Sequence, residues 1–508
     1  MGWVMVVPLL PWLAALWIGV GMLTGQRRGE AGERGTAWVA LLAATGSLLG
    51  MLVVDGMAVH QGVMGHVVVF PWLSSGPLRV TISLLLDRPG LVMGTLVAFG
   101  ALMTLKFAVN YMHREPGFHR FFAVLCLFAG GMTWIALSGN AVLTFVGWEV
   151  AGLSSYLLIA YADTRTTATT NATRAFVTNR FGDAGMVFGM AMVFLWTKGV
   201  EWPAIFQAAK PLGSLLTAVM VAGFLLAAVV KSAQIPFVAW ISRALEGPTP
   251  SSAVFYGALM AHAGAFLVIR LEPLLVLAPF WMVILMLIGG LTALFASAVG
   301  RVQTDVKSVL IFSTQAQIGL IFFECGAGFF DFALWHLVAH TLWRFYQFLL
   351  SPSYIHLAPV RPSAGGVAKS PALYTLLLHR GWFDSVTDAL ITRPTLALAR
   401  DVQIFDELVI SRMSGRPMQE SLLRHMVAGV EVSSLSGVTQ GRGVLGRLLE
   451  RVGMLFFWFE EHLVLRSSGD GLLKAMRFLG EYVTRIELLF GQPRYLYLMI
   501  MLTFLVIL

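Results

Sequence analysis

Apolar runs long enough to cross a bilayer recur through about the first 350 residues of this chain, and no other feature constrains its fold as strongly. They lie near 3–24, 37–58, 80–108, 118–138, 140–162, 172–197, 212–233, 250–272, 276–299, 304–325 and 328–356. In lipid every backbone amide must be satisfied within the protein, so such runs become helices or a closed barrel. A barrel would show alternation, and these runs are continuously apolar. The expected fold is all-α, a polytopic transmembrane helical bundle. A composition of 57% hydrophobic and only 12% charged residues over 508 excludes a water-soluble globule.

The first run, "VMVVPLLPWLAALWIGVGMLTG", has no basic stretch before it and no small-residue cleavage pattern after it, and is expected to be a retained span. Cys126 and Cys325 each sit in an apolar stretch, far apart and without CxxC spacing, which points to neither a disulfide framework nor an iron–sulfur or zinc site. The net charge of +8 suggests lipid contact and topology rather than nucleic acid, because basic loops such as "GQRRGEAGERG" (25–35) flank spans.

After residue 356 the texture changes. "SPSYIHLAPVRPSAGGVAKSP" is rich in Pro, Ser and Gly and reads as a linker. Further on, Leu472, Met476, Leu479, Val483, Ile486 and Phe490 fall on one helical face, with Lys474, Arg477, Glu481 and Arg485 elsewhere, as in a helix lying along a surface. "YLYLMIMLTFLVIL" closes the chain as an expected anchor span. The expected organisation is N-terminal spans over 1–116, a core over 117–357, linker and amphipathic helices over 358–490, and an anchor over 491–508.

An ionisable residue inside a span is costly unless paired or hydrated, so each is a candidate functional group. "TFVGWEVAGLSSYLLI" holds Glu149, the only carboxylate of its span, followed by small residues that let a neighbouring helix approach; the alternative is a carboxylate held for packing alone. "FVTNRFGDAGMVFG" places Arg180 and Asp183 three residues apart on one face, a spacing that commonly makes a local ion pair. Lys231 stands in the apolar run "LLAAVVKSAQIPF". Pro236 lacks an amide hydrogen and its ring conflicts with the carbonyl of Ser232, so the helix is expected to open just past Lys231. Irregular backbone at membrane depth is tolerated only where it is buried in protein or lines a wet cavity, so the lysine and the break form one device. A lysine snorkelling from a helix end is the competing reading.

In "HLVAHTLWRF", His336, His340 and Arg344 recur at four-residue spacing and form a stripe on one span. Two histidines so spaced can bind metal, but no third ligand suggests itself nearby, and a hydrogen-bonded proton wire fits better. His262 and Lys307 are candidates to extend that axis. No phosphate-binding loop, nucleophile elbow or catalytic carboxylate pair is present.

Taken in order, "FVGWEVAGLSSYLLI", "RAFVTNRFGDAG", "KSAQIPFVAW", "GPTPSSA", "QTDVKSVLIFSTQAQIG" and "HLVAHTLWRF" resemble the largest antiporter-like subunit of respiratory complex I and its Mrp antiporter relatives, over about residues 80 to 355. The resemblance implies an inverted repeat and a central polar axis. Proton transfer would run through Glu149 and Lys231, with Asp183 and Arg180 as electrostatic neighbours and Lys307, His336 and His340 in the second half. Three departures stand out. Tyr256 occupies a position where the family usually has histidine, with His262 further along. Arg344 stands where lysine is usual, and arginine does not readily deprotonate. The family's second repeat normally continues into another broken helix with its own ionisable residue, where this chain has the linker and mixed segment of a shortened second repeat. A path ending at the histidine stripe, or completed by a partner subunit, would therefore be needed.

The resemblance implies a non-catalytic, proton-conducting subunit without a cofactor of its own, in a prokaryotic inner membrane. Its partners would be redox subunits of a complex I-like pump, or a zinc-containing, carbonic-anhydrase-like protein in an inorganic-carbon accumulation complex of the DAB type. The alternatives are a non-conducting scaffold, or a stand-alone sodium/proton antiporter.

Overall fold

A computed structural model describes residues 2–26, 29–63, 65–357 and 370–405. Residues up to Arg393 belong to one compact unit. The described part of a second unit, residues 394–405, is helical. The expected surface helix around 472–490 and the C-terminal anchor lie outside the described residues.

The chain opens with α1 (Val6–Leu23) and α2 (Gly29–Gln61), followed by a hairpin of β1 (Gly65–Ser75) and β2 (Leu78–Leu86). Four long helices come next: α3 (Arg88–Tyr111), α4 (Phe118–Leu137), α5 (Ala141–Ile159) and α6 (Thr166–Thr197). The short α7 (Trp202–Ala209) leads into α8 (Gly213–Lys231). An interrupted region holds α9 (Ala239–Arg243), α10 (Thr249–Ser252), α11 (His262–Arg270) and α12 (Glu272–Leu275). Then α13 (Pro279–Gly300), α14 (Val306–Gly326) and α15 (Phe330–Leu357) complete the bundle. Short helices α16 (Pro371–Leu378) and α17 (Phe383–Thr387) precede α18 (Arg393–Phe405). Among the described residues nine helical stretches are long and apolar enough to cross a membrane, and the protein is an integral membrane protein.

Two expected spans are corrected. The run at 80–108 is not helical from its start: Leu78–Leu86 is a strand paired antiparallel with Gly65–Ser75, and the helix begins at Arg88. The β-branched Val80, Thr81 and Ile82 favour the strand. Asp87 then caps α3, accepting a hydrogen bond from the Gly90 amide at 2.8 Å, with Pro89 in the first turn where its missing amide hydrogen is harmless. The run at 250–272 is also not one helix. A π-type turn over Ala253–Ala258 separates α10 from α11, and the Ala261 carbonyl accepts from Ser232 Oγ at 2.7 Å.

Counting crossings puts the hairpin, the starts of α3, α5, α13 and α15, and the ends of α4, α6, α11 and α14 on one membrane face, here the hairpin face. Polar links tie this face together. Asp87 pairs with Arg270 at 2.7 Å and Arg88 with Asp331 at 2.6 Å. Glu201, between α6 and α7, accepts hydrogen bonds from Thr81 Oγ1 and Ser83 Oγ of β2, both at 2.7 Å, and meets His66 Nε2 of β1 at 2.9 Å. Burial raises the Glu201 pKa, but the hydrogen bonds from His66, Ser83 and Thr81, with the His66 charge, outweigh it and hold the carboxyl below its ordinary value.

Helix pairs approach at glycines. A Cβ on Gly223 of α8 would stand 2.3 Å from the Gly185 carbonyl oxygen of α6, and one on Gly289 of α13 2.4 Å from the Gly319 carbonyl oxygen of α14. Small residues are what let backbones meet so closely where lipid offers no hydrophobic drive.

Gly223→Leu is expected to drive α6 and α8 apart and abolish monodisperse protein in detergent size-exclusion chromatography, whereas Leu215→Ala, at a 76% exposed site on the same helix, leaves it unchanged. For Glu201 the folded pKa is depressed, so its stabilisation is fully present above 4.5 and lost as pH falls through the lower folded value. The difference in unfolding temperature between wild type and Glu201→Gln should therefore be largest above pH 4.5 and close on acidification.

Candidate functional site: a buried polar axis

α8 stops at Lys231, five residues before Pro236, as proline chemistry requires. Non-helical backbone follows to α9, with Ala233 in the left-handed region at φ +50°. Each backbone group freed here needs a partner. The Trp240 indole donates to the Val230 carbonyl at 2.9 Å, and Gln234 Nε2 to the Ser232 carbonyl at 2.9 Å. Gln315 Nε2, from α14, donates to the Ala233 carbonyl at 2.6 Å and lies 3.3 Å from that of Val238. Thr292 Oγ1, from α13, accepts from the Ile235 amide at 3.0 Å. The break is thus held open by side chains of two other helices.

Lys231 is 1% exposed, which removes the snorkelling reading. Its ammonium lies 4.9 Å from the Trp148 ring centre, a cation–π contact, and 3.5 Å from the Trp148 carbonyl oxygen. Among the described residues no carboxylate comes within 4.0 Å of it. The carboxylates expected as its electrostatic neighbours do not touch it. Trp148 stands there instead, passing its indole hydrogen to Asp183 Oδ1 at 2.8 Å. Arg180 bonds Glu149 through one terminal nitrogen and reaches Asp183 Oδ2 at 2.8 Å through the other. The expected local pair is therefore a three-membered cluster across α5 and α6. Gly152 makes room beside it: a Cβ there would lie 3.0 Å from Arg180 and 3.3 Å from the Lys231 ammonium. Glu149 and Arg180 keep 24% and 32% of their side chains accessible, so this end of the cluster opens toward the surface.

The second half gathers on α15. His262, the first residue of α11, has Nε2 2.9 Å from His340 Nδ1. One turn along, His336 has Nδ1 2.8 Å from Glu324 Oε1 and Nε2 2.9 Å from Gln317 Oε1, both on α14. The His336 and His340 ring centres are 6.2 Å apart. Arg344 donates to Ser313 Oγ at 2.7 Å and Gln347 Oε1 at 2.8 Å, fixed as an organiser of the helix pair. Tyr256 is buried in the π-type turn against Trp240. Ser232 Oγ bonds the Ala261 carbonyl, so Lys231 and His262 each adjoin one end of a single hydrogen bond between α8 and α11.

Lys307 is not brought to this axis. It sits in the first turn of α14, about 15 Å along the helix from Gln317 and at the face opposite the hairpin. Trp148, Gln315, Thr292 and Glu324 were not foreseen. Of these, Glu324 carried a readable signal, a carboxylate within an apolar run. Among the described residues no three His, Cys, Asp or Glu side chains converge as metal ligands.

Residues 138–361 match the family described as NADH:quinone oxidoreductase/Mrp antiporter, transmembrane, and residues 72–122 the N-terminus of complex I chain 5. Over these residues the chain belongs to the antiporter-like family of complex I and Mrp systems. It is 37% identical to NADH-ubiquinone oxidoreductase chain 5 of Acanthamoeba castellanii (61% of this chain, 48% of that one). It is also 37% identical to NADH-quinone oxidoreductase subunit L of Mycobacterium tuberculosis (66% and 53%). The chain spans about half the length of the curated relatives it matches. The solved Mrp complex of a Dietzia species shares the fold, with a TM-score of 0.60 at 19% identity, covering 96% of this chain and 60% of that one.

Gln315→Leu strands the Ala233 carbonyl, and unfolding followed by temperature in detergent should show a loss of about 1–3 kcal/mol.

Proposed function

We propose that this chain is a proton-conducting subunit of a larger energy-coupling membrane complex, placed in a prokaryotic cytoplasmic membrane. The observation that carries the reading is Lys231, a buried ammonium with no ion pair among the described residues, at the end of an opened helix. Burying a lysine at membrane depth without an ion pair is costly, so a site that holds one has use for its changing charge. In this reading the Glu149–Arg180–Asp183 cluster sets the field around Lys231. Protons received there pass through the region of Ser232 and Ala261 to the paired His262 and His340. Arg344 holds position and carries no proton.

Conduction does no work unless it is coupled, so the complex includes partner proteins. The relatives are named as subunits of quinone oxidoreductases, which supports redox-coupled partners carrying their own cofactors. The other assignment is a smaller assembly of the DAB type, with a zinc-containing, carbonic-anhydrase-like partner. Mild-detergent purification separates the two by what copurifies: quinone or iron–sulfur subunits, or a zinc protein.

Proton flux through the purified complex in proteoliposomes, driven by an imposed potential, tests conduction. Lys231→Ala and Glu149→Gln are expected to lower it by roughly 100-fold while the complex still assembles. Wild-type flux in both variants would leave only a scaffold. Flux that requires sodium would instead mark a sodium/proton antiporter.

A further inference from the structure

The histidine stripe of α15 does not stop at His336, because a carboxylate of α14 faces that ring. Depth along the helices shows where it leads. His340 lies about 15 Å, and His336 about 9 Å, from the start of α15 on the hairpin face, at 1.5 Å per residue. Glu324 lies about 3 Å from the end of α14 on the same face. The three groups thus form steps from mid-membrane toward the face where α14 turns into α15.

The hydrogen bonds give these steps a polarity. The Gln317 amide oxygen can only accept, so His336 Nε2 carries a hydrogen and donates it. The exchangeable proton of His336 is therefore on Nδ1, which faces Glu324 Oε1 at 2.8 Å. One proton is shared across that contact. When it moves, the Nδ1–H bond of the imidazolium breaks, an O–H bond forms on the carboxylate, and neutral imidazole remains. The other carboxylate oxygen, Oε2, is buried without a protein hydrogen-bond partner among the described residues. Among the described residues no protein group there competes for that proton. Both side chains keep some accessibility, 18% for His336 and 14% for Glu324, unlike His262, which has none. The same face carries Glu272 at the start of α12 and Asp331, paired with Arg88, at the start of α15.

We propose that Glu324 is the terminal proton-relay carboxylate of this chain, taking protons from His336 Nδ1 and passing them to the aqueous phase at the hairpin face. The proposal rests on the conducting reading above. His336 and His340 have no direct hydrogen bond, so His336 loads from His340 by turning its ring, which parts Nδ1 from Glu324, and delivers on turning back.

The test uses the full chain with its copurifying partners in proteoliposomes. Glu324→Gln is expected to lower proton flux at least about tenfold, and Glu324→Asp to keep most of it. In Glu324→Ala the lost flux should be partly restored by small weak acids such as azide or formate, which a merely structural role would not allow. Normal flux in Glu324→Gln, alongside abolished flux in Lys231→Ala, would overturn the exit while leaving conduction intact. Loss in Glu324→Ala that neither aspartate nor weak acids relieve would reduce Glu324 to a pin for His336. Normal flux in Lys231→Ala would remove the underlying reading itself. Should Glu324→Gln fail to assemble, a hydrophobic carbodiimide on the assembled wild type decides. Modification mapped to Glu324 by mass spectrometry must stop flux, and modification without loss of flux refutes the proposal.

Discussion

A cation enclosed by apolar helices without a contacting carboxylate is the constraint around which this protein is arranged. Water is the usual solvent for an ammonium, and the interior supplies a substitute: the face of Trp148, its carbonyl oxygen, and an opened helix end. Opening a helix in lipid exposes backbone groups that must find partners. Thr292, Gln315 and Trp240 supply them, and with them α13 and α14 become part of the lysine's environment. The two halves of the bundle are therefore joined at the break.

The same logic explains how charge is distributed. Arg180 bridges Glu149 and Asp183, so these carboxylates are already committed and do not touch the lysine, and Asp183 also holds the Trp148 ring that the ammonium faces. Truncating one partner of a buried charged cluster typically costs about 3–5 kcal/mol, because the remaining charge is stranded. On the other side of the break, Ser232 grips Ala261 and carries the axis to the histidines. Ion pairs and Glu201 bind the ends of the spans and the hairpin on the face toward which the histidine stripe climbs.

Much of this was legible in the amino-acid sequence. Spans showed as apolar runs, and the break showed because Pro236 follows Lys231 at a distance that forces the helix to end between them. The stripe of His336, His340 and Arg344 followed from four-residue spacing alone. Less visible was anything set by contacts between distant segments. The strand at Leu78–Leu86 hid inside an apolar run, where composition marks burial but not the choice between strand and helix. Trp148 and Gln315 are ordinary residues for a buried span, and only the fold brings them to the lysine and to the break. Lys307 shows the opposite failure: an ionisable residue in a recognised motif that stands in the first turn of its helix, away from the axis.

Everything depends on the ammonium of Lys231 being enclosed beside a helix that is open at membrane depth. The most direct measurement is a high-resolution density map of the full chain with its partners in a lipid nanodisc. It should show the helix ending at Lys231, the side chain over Trp148, and ordered water between Lys231 and the histidine pair. An unbroken helix running through residue 239 in a dry environment, with the ammonium turned out to lipid headgroups, would contradict the account.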